Sequence, residues 1–406
     1  MREMKDSGVA WLGSIDSKFE VKEIGKLFSI RKEIIGKEPE QVLSITQKGI
    51  KIKDTSSNEG QNAASYSHYQ IVNIGDFAMN HMDLLTGWVD ISQYDGVTSP
   101  DYRVFVLFDK KQNPEYYLRV FQMYYTNRVF YAFGQGAANL GRWRLPKESF
   151  LKIDIPCPPL ELQEKIANTI AKKVNFINKL IANQEAQIEQ LKQYKQSLIT
   201  EVVTKGLDPT APTKDSGVEW IGEMPAHWKL IRFRFIAKIT TGNSDTQDAN
   251  PDGQYPFYVR SPIVERSDKY TFDGEGILMA GDGAGAGKVF HLVDGKYAVH
   301  QRVYRFYDFK YIDKQLLKHY LETLFSVVMD YGSAKTTVPS VRLPMIQDFP
   351  VCVPPAEEQA AILKQIIKQT VTINRYVDLL EKKIDKLVNY KKSLIYEYVT
   401  GKKEVH

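Results

Sequence analysis

Cysteine and long apolar segments are scarce in this chain. Two cysteines among 406 residues are too few for a disulfide framework or a cluster of thiolate metal ligands. No run of about 18 apolar residues occurs, as a membrane-spanning helix would need, and the first residues lack the apolar core of a signal peptide. The histidines show no metal-binding spacing. We therefore expect a cytoplasmic protein that is neither secreted nor embedded in a membrane.

The remaining composition is that of a folded protein with a slight basic excess. Hydrophobic residues make up 43% and charged residues 25% of the chain, and the formal net charge is +5. These values exclude a largely disordered chain, and the length predicts two or more domains. The charge permits a polyanionic partner without requiring one, because surface fields depend on where charges cluster.

An internal repeat is the strongest feature of the sequence. The motif Asp-Ser-Gly-Val-x-Trp-x-Gly begins at Asp6 and recurs at Asp215, 209 positions later. A second motif, Pro-Pro-x-Glu-x-Gln, begins at Pro158 and recurs at Pro354, 196 positions later. Self-similarity over such a distance predicts one structural unit written twice.

Each copy ends in a long segment without internal proline or glycine, from Leu160 to about Val203 and from Ala356 to Val399. Apolar residues recur there in steps of three and four, as a coiled coil requires. Helices of about 44 residues are about 65 Å long, whereas a compact intervening domain spans only roughly 36 Å. We therefore predict that the two helices pair antiparallel about a pseudo-twofold axis; two separate surface helices are the alternative.

The sequence ahead of each long helix predicts a mixed globular domain. Short β-branched and aromatic runs with Asp-Gly turns alternate there with one apolar-faced helix. The predicted fold class is α+β, twice. The predicted boundaries are 1–155 for the first domain, 156–206 for the first long helix, 207–352 for a linker and the second domain, and 353–406 for the second long helix.

The frameworks of the two domains align, but their loops do not. Residues 80–88 stand opposite 279–287, and residues 135–142 stand opposite 333–340, with unlike sequences. One scaffold with different loops is typical of two readers of unlike targets. Ordinary divergence after a duplication would look the same.

Two motifs suggest catalysis but fail in their context. The glycines of residues 281–287 satisfy a dinucleotide pattern, but the following residues predict a strand, and Val289 stands where a P-loop needs serine or threonine. Asp101 and Lys111 faintly resemble a metal-dependent nuclease cluster, but the second half has His300 where Asp101 stands. We predict a glycine turn with exposed backbone and no catalytic site.

Taken together, these features resemble the specificity subunit of type I restriction-modification systems over nearly the whole chain. The resemblance rests on the doubled opening motif, the segment from Gly75 to Phe105, the Pro-Pro-x-Glu-x-Gln helix starts, and the Tyr-Lys-x-Ser-Leu-Ile helix ends. It implies two target-recognition domains, each reading one half of a split sequence in double-stranded DNA, joined by helices that set the gap.

The resemblance also implies which partners the chain has. Two methyltransferase subunits would dock on the helices, and restriction subunits that translocate DNA would join them. S-adenosylmethionine, ATP and magnesium would then belong to those partners, so this chain would itself be non-catalytic and would hold no cofactor and no metal.

Polar loop residues at corresponding positions of the two domains are the candidates for DNA contact. Arginine and lysine can pair with guanine or phosphate, and asparagine or glutamine with adenine. The candidates in the first domain are Asn80, His81, Thr86, Gln135, Asn139, Arg142 and Arg144. The candidates in the second domain are Lys288, His300, Lys335, Thr336 and Arg342. Arg103 and Arg302 align with each other, which predicts a shared structural role instead.

Two other functions remain open from the sequence. A coiled-coil scaffold that binds only proteins would need the helices alone, and it would show no salt-dependent, sequence-selective binding to duplex DNA. A self-sufficient nuclease would use Asp101 and Lys111 and would cleave DNA with magnesium.

Overall fold

The computed structural model describes residues 3–56, 63–136, 143–332 and 339–405. The chain divides into two compact units, Met1–Gln184 with Lys382–His406, and Glu185–Glu381. Each unit holds one α+β globular part together with segments of both long helices. Among the described residues, no helix has the length and apolar character needed to cross a bilayer.

The globular part of the first unit is built on a four-stranded antiparallel sheet of order β4-β11-β8-β9, with four two-stranded pairs around it. Its strands are β1 (Met4–Asp6), β2 (Ser14–Asp16), β3 (Glu20–Glu23), β4 (Phe28–Arg31), β5 (Leu43–Thr46), β6 (Gly49–Ile52), β7 (Gln70–Val72), β8 (Phe77–Met79), β9 (Val89–Ile91), β10 (Gly96–Thr98), β11 (Arg103–Leu107) and β12 (Asp154–Cys157). Its short helices are α1 (Pro114–Thr126), α2 (Val129–Ala132) and α3 (Lys147–Leu151).

Both faces of this sheet are covered. Phe77 and Phe105 point to the side of α1, where they pack with Phe121 in the main core. Their strand neighbours Ala78 and Val104 point the other way, into a small cluster beneath β5 and β6. The two central strands are therefore apolar on both faces, because alternate residues of a strand point to opposite sides.

The second unit repeats this arrangement. Its four-stranded antiparallel sheet has the order β16-β23-β20-β21, and a second sheet has the order β18-β17-β22-β19 with one parallel pair, β17 with β22. Its strands are β13 (Thr213–Asp215), β14 (Glu223–Pro225), β15 (Lys229–Arg232), β16 (Lys238–Thr241), β17 (Tyr255–Tyr258), β18 (Glu265–Ser267), β19 (Phe272–Asp273), β20 (Gly276–Ala280), β21 (Phe290–Val293), β22 (Lys296–Val299), β23 (Val303–Tyr307) and β24 (Pro350–Val353). The long helices are α4 (Leu160–Lys205) and α7 (Ala356–Val399), and the second unit also has α5 (Lys314–Gly332) and α6 (Leu343–Gln347).

The repeated opening motif is a structural turn. Ser7 and Ser216 each accept a hydrogen bond from the amide two residues later, and the following glycines have φ angles of 70° and 71°. In each copy a backbone hydrogen bond of 3.0 Å closes the loop from the serine amide to the glycine six residues on. The motif recurs because the globular part of each unit begins with the same pair of short strands, β1 with β2 and β13 with β14.

Each long helix is linked to the neighbouring globular helix by one buried glutamine. Oε1 of Gln163 accepts from the Asn113 amide at 2.9 Å, and its Nε2 donates to the carbonyl of the first proline of its motif at 2.9 Å. Gln359 makes the same two contacts, with the Asp313 amide at 2.7 Å and its own proline at 2.9 Å. Asn113 caps α1, and Asp313 precedes α5 and accepts from an amide of its first turn. The last residue of the Pro-Pro-x-Glu-x-Gln motif thus fixes where the globular helix begins.

The long helices match their predicted extents closely. α4 was predicted from Leu160 to about Val203 and ends at Lys205, and α7 has the predicted bounds. Gly206 and Gly401 follow them with φ angles of 76° and 73°, the left-handed conformation that commonly ends helices.

Candidate nucleic-acid interface

Three candidates of the first unit lie between β8 and β9. The Asn80 amide donates to the Trp88 carbonyl at 2.9 Å, and its Oδ1 accepts from the Met82 amide at 3.2 Å. Thr86 is exposed, and both its amide and its hydroxyl donate to the Asp83 carboxylate. The side chains of Asn80 and Thr86 therefore stabilise this turn, and the exposed Thr86 hydroxyl oxygen can still accept a hydrogen bond.

His81 lies in the same loop and is partly buried. Its Nδ1 has no hydrogen-bond partner among the described residues. Burial, and then the charges of Arg103 and Arg144, lower the pKa of its imidazole to about 3, so the ring is neutral near pH 7. A neutral ring can share a hydrogen bond with a base but cannot neutralise a phosphate.

Gln135 and Arg144 are brought together by the backbone. The amide of each donates to the carbonyl of the other, at 2.8 Å and 3.1 Å, and both residues are exposed. The two residues form a single antiparallel bridge, and both side chains lie at the protein surface. Asn139 and Arg142 lie outside the described residues.

The candidates of the second unit differ in exposure. Lys288 is exposed at the end of the glycine-rich turn before β21. His300 is only 3% exposed; its Nδ1 accepts from the Arg302 amide at 3.0 Å, and burial lowers the pKa of its ring. Arg342 is exposed and directly precedes α6, without a capping hydrogen bond from its side chain. Lys335 and Thr336 lie outside the described residues.

The two Arg-Leu-Pro segments do not occupy equivalent positions. In each unit a buried residue donates its amide to a carbonyl just after β8 or β20, and that residue is Leu145 in the first unit and Val341 in the second. Arg144 therefore precedes this anchor, whereas Arg342 follows it. Arg144 and Arg342 share an Arg-Leu-Pro motif but do not occupy corresponding positions, because the backbone pairing differs by two residues from the alignment of the motif.

The predicted shared role of Arg103 and Arg302 is also wrong. Arg103 is 5% exposed, donates to the Leu145 carbonyl at 2.8 Å, and lies 4.6 Å from the Phe150 ring centre. Burial lowers the pKa of its guanidinium to about 10. The Arg302 side chain is 66% exposed. Arg103 is the first residue of β11 and points into the core, whereas Arg302 precedes β23.

A cluster of charged residues beside His300 has almost no signal in the sequence. Asp282 contacts both Arg260 and Arg302, and Asp282, Arg260 and His300 line a concavity of about 650 Å³. Arg260 is 22 positions before Asp282 in the chain and carries no local pattern. The only sequence signal is the aspartate within a glycine-rich turn.

The motifs that suggested catalysis have structural explanations. Asp101 and Lys111 are exposed in turns at opposite ends of β11, which separates them by roughly 17 Å at about 3.4 Å per residue. Among the described residues, no group of three or more histidine, cysteine, aspartate or glutamate side chains is placed to hold a metal ion. The glycine-rich turn leads into strand β21 (Phe290–Val293), as predicted.

Two α+β domains with the same sheet, unlike loops and polar residues on those loops define a two-domain recognition protein. Residues 16–190 and 225–387 each match the family described as type I restriction modification DNA specificity domain, and the chain belongs to that family. The family assignment confirms the predicted resemblance and the predicted function in DNA specificity, in preference to a scaffold that binds only proteins or an autonomous nuclease.

Individual relatives agree with this assignment. The chain is 29% identical to the type I restriction enzyme EcoDI specificity subunit of Escherichia coli over 145 residues, which are 36% of this chain and 32% of that protein. It is 23% identical to the putative type I restriction enzyme MjaX specificity subunit of Methanocaldococcus jannaschii, over 96% of this chain and 95% of that protein.

A solved structure shares the fold. A chain from a type I restriction-modification system, studied for its complex assembly and conformational transition, superposes with a TM-score of 0.67 at 13% identity. The superposition covers 95% of this chain and 98% of the other. At this identity the likeness concerns the fold alone.

Proposed function

We propose that this chain recognises a DNA target made of two unlike halves, with one target-recognition domain for each half. The observation that carries the proposal is the double family match, which falls once on each globular part. The two parts have four-stranded sheets of the same strand order but different residues after β8 and β20. The proposed domains are 1–155 and 207–352, followed by helical segments 156–206 and 353–406.

The described candidates divide into two groups by exposure. Thr86, Gln135, Arg144, Lys288 and Arg342 are exposed and are proposed to contact bases or phosphates directly. Asn80, His81 and His300 are more enclosed and are proposed to position the neighbouring loops. Asn139, Arg142, Lys335 and Thr336 remain proposed contacts.

The long helices are proposed to pair antiparallel as a coiled coil that sets the gap between the half-sites. Contacts within the first unit support this direction. The Tyr116 hydroxyl lies 3.2 Å from the carbonyl oxygen of Pro156, just before α4, and 2.9 Å from that of Val399, at the end of α7. Further along, Lys391 Nζ donates to Asn178 Oδ1 at 3.0 Å.

The second unit contains the counterpart of that lysine–asparagine pair. Lys195 Nζ donates to Asn374 Oδ1 at 3.1 Å, and Lys195 and Asn374 are 196 positions from Lys391 and Asn178. Both pairs thus follow the helix repeat. A polar pair at a helix seam favours one register over others, which supports a fixed spacing.

The helices are also proposed to dock methyltransferase subunits, two per chain, with restriction subunits joining the complex. Exposed apolar side chains on the helices support a docking role: Tyr194 and Tyr390, equivalent by the repeat, are 57% and 51% exposed, and Phe176 and Val371 are each 63% exposed. Tyrosine is enriched at protein interfaces. In this proposal the chain is non-catalytic, and S-adenosylmethionine, ATP and magnesium are bound by its partners.

A genome-wide map of methylated adenines tests the proposal. The methyltransferase subunit is expressed with and without this chain in a host that lacks other methylation of the same kind. We expect a split motif that is methylated only when the chain is present. Methylation that does not depend on the chain, or a motif in one continuous block, would overturn the proposal.

A further inference from the structure

Asp282, which lines the concavity of the second unit, contacts two arginine side chains. Its Oδ1 lies 3.1 Å from Arg260 Nη1, and its Oδ2 lies 3.7 Å from Arg302 Nε. The carboxylate side chain is 20% exposed, whereas the two arginine side chains are 46% and 66% exposed. Among the described residues the Arg260 guanidinium donates a hydrogen bond only to Asp282, and the Arg302 guanidinium forms an ion pair with Asp282 but no hydrogen bond.

The glycine-rich turn is what brings these three residues together. A Cβ at Gly281 would lie 2.8 Å from the Arg302 carbonyl oxygen, and a Cβ at Gly285 would lie 2.4 Å from the Arg260 carbonyl oxygen. Only glycine permits both approaches. The exposed backbone predicted for this turn is therefore packed against the two arginine backbones at these glycines, and Asp282, between them, reaches both side chains.

His300 forms the buried wall of the same concavity. Because its Nδ1 accepts from the Arg302 amide at 3.0 Å, the proton of the neutral ring lies on Nε2. Nε2 is 3.5 Å from the Thr246 hydroxyl and 3.7 Å from Asp245 Oδ1. His300 thus holds the Arg302 backbone through its amide, while Asp282 contacts the Arg302 guanidinium.

The charge around the arginines favours a neutral acceptor over a phosphate. Asp282 already occupies the point between the two guanidinium groups where an anion would sit. Glu265 lines the same concavity, and Asp245 lies against its wall. A phosphate would meet three carboxylates there, whereas the N7 and O6 atoms of guanine are uncharged acceptors that match an arginine fork.

We propose that Arg260 and Arg302, held by Asp282, read guanine through N7 and O6 in the major groove of the half-site bound by the second domain. This inference rests on the proposed function. Asp282 is proposed to orient the two arginine side chains before DNA binds, and side chains oriented in advance lose less rotamer freedom on binding. Asp282 is therefore a positioning residue and does not itself contact the DNA.

The test uses the complete chain in complex with its methyltransferase subunits and the motif obtained from the methylation map. Duplexes carry 7-deazaguanine, which lacks the N7 acceptor, at one guanine of the second half-site at a time. We expect the wild-type complex to bind about fivefold more weakly at one or two of these positions. R260K and R302K, which keep the charge but lose the fork, should each bind the normal duplex about tenfold more weakly. Each variant should show no further loss with 7-deazaguanine at the guanine that its substituted arginine reads.

The variant D282N tests the positioning role, and D348N is its matched control. Asp348 likewise contacts two arginines of the same unit, Arg232 at 3.4 Å and Arg234, but at an exposed surface. We expect D282N to lower the discrimination between guanine and adenine at the read position several-fold, and D348N to leave it unchanged.

Two outcomes would overturn the inference while leaving the proposed function intact. One is a second half-site without guanine; the other is a 7-deazaguanine effect that persists in full in both arginine variants. Absence of any sequence-selective binding by the wild-type complex would instead overturn the proposed function, and with it this inference.

Discussion

Gln163 and Gln359 link long helices to globular domains through one side chain each. Gln163 is fully buried, and its amide satisfies a backbone donor and a backbone acceptor at once. Removing it leaves both of those backbone groups without their partner, and each such group costs about 1–3 kcal/mol when buried.

We expect Gln163→Ala to lower the free energy of unfolding of the first unit by about 3 kcal/mol. Gln193→Ala is the control, because Gln193 is exposed on the same helix and among the described residues bonds only to Glu189; its effect should stay within about 0.5 kcal/mol. Denaturant unfolding measures both. Equal effects of the two substitutions would contradict the linking role of Gln163.

His81 makes the first unit sensitive to mild acid. Its pKa is about 3 in the folded chain against an ordinary value of 6.5. The unfolded chain therefore takes up a proton at higher pH than the folded chain. The stabilisation is complete above pH 6.5 and is lost as the pH falls from 6.5 towards 3, with a slope of up to about 1.4 kcal/mol per pH unit.

We expect His81→Asn to flatten this dependence between pH 7 and pH 5. Hydrogen exchange of the first unit at several pH values measures it, because exchange reports the opening of one unit separately. His68→Asn, at an exposed position of the same unit, is the control and should leave the slope unchanged. An unaltered slope in His81→Asn would show that His81 is not the group responsible.

At the scale of secondary structure, the ends of the long helices are set by glycine. Gly401 follows α7 with φ 73°, and a Cβ there would lie 2.6 Å from Asp16 Cβ and 2.9 Å from Phe19 Cζ. A side chain would therefore meet both backbone strain and a packed core.

We expect Gly401→Ala to destabilise the first unit by about 3 kcal/mol, as strain and overpacking add. Gly8→Ala is the control, since Gly8 has φ 70° with nothing within 4 Å of a Cβ, so only strain of about 1 kcal/mol remains. Thermal unfolding measures both. A Gly401→Ala cost no larger than that of Gly8→Ala would show that the end of α7 can shift without loss.

The sheets show that the order of the strands is easier to predict from sequence than the register of individual residues. The central strands repeat in number and order, since apolar residues on both faces leave few alternatives. The exact register of a strand or turn, by contrast, does not follow from a short motif. Arg144 and Arg342 share a three-letter motif but sit on either side of the buried anchor, because backbone pairing with a distant turn decides their position.

For the whole molecule, the net charge of +5 gives little attraction to DNA unless basic residues gather at the recognition loops. Lys288 is exposed on such a loop and is suited to a phosphate, since an ammonium group acts as a point charge without base preference.

We expect Lys288→Gln to weaken binding of the complex to all duplexes by a similar factor and to reduce the slope of log K against log salt by about 1. Lys229→Gln, at an exposed position on β15, is the control and should change neither. Filter binding or fluorescence anisotropy over a range of salt concentrations measures both. A loss confined to one sequence would mean that Lys288 reads a base.

The sequence by itself determined the duplication, the long helices and the family. Each of these depends on motifs whose residues lie close together in the chain, such as the apolar spacing of the helices and the glycines that end them, so local patterns reveal them. Only the tertiary structure decided which polar side chains are available for recognition. Arg103 is buried, Arg302 is exposed, and Arg260 meets Asp282 across 22 positions of chain, because strand pairing and the packing of a glycine turn, and not sequence neighbours, set those distances.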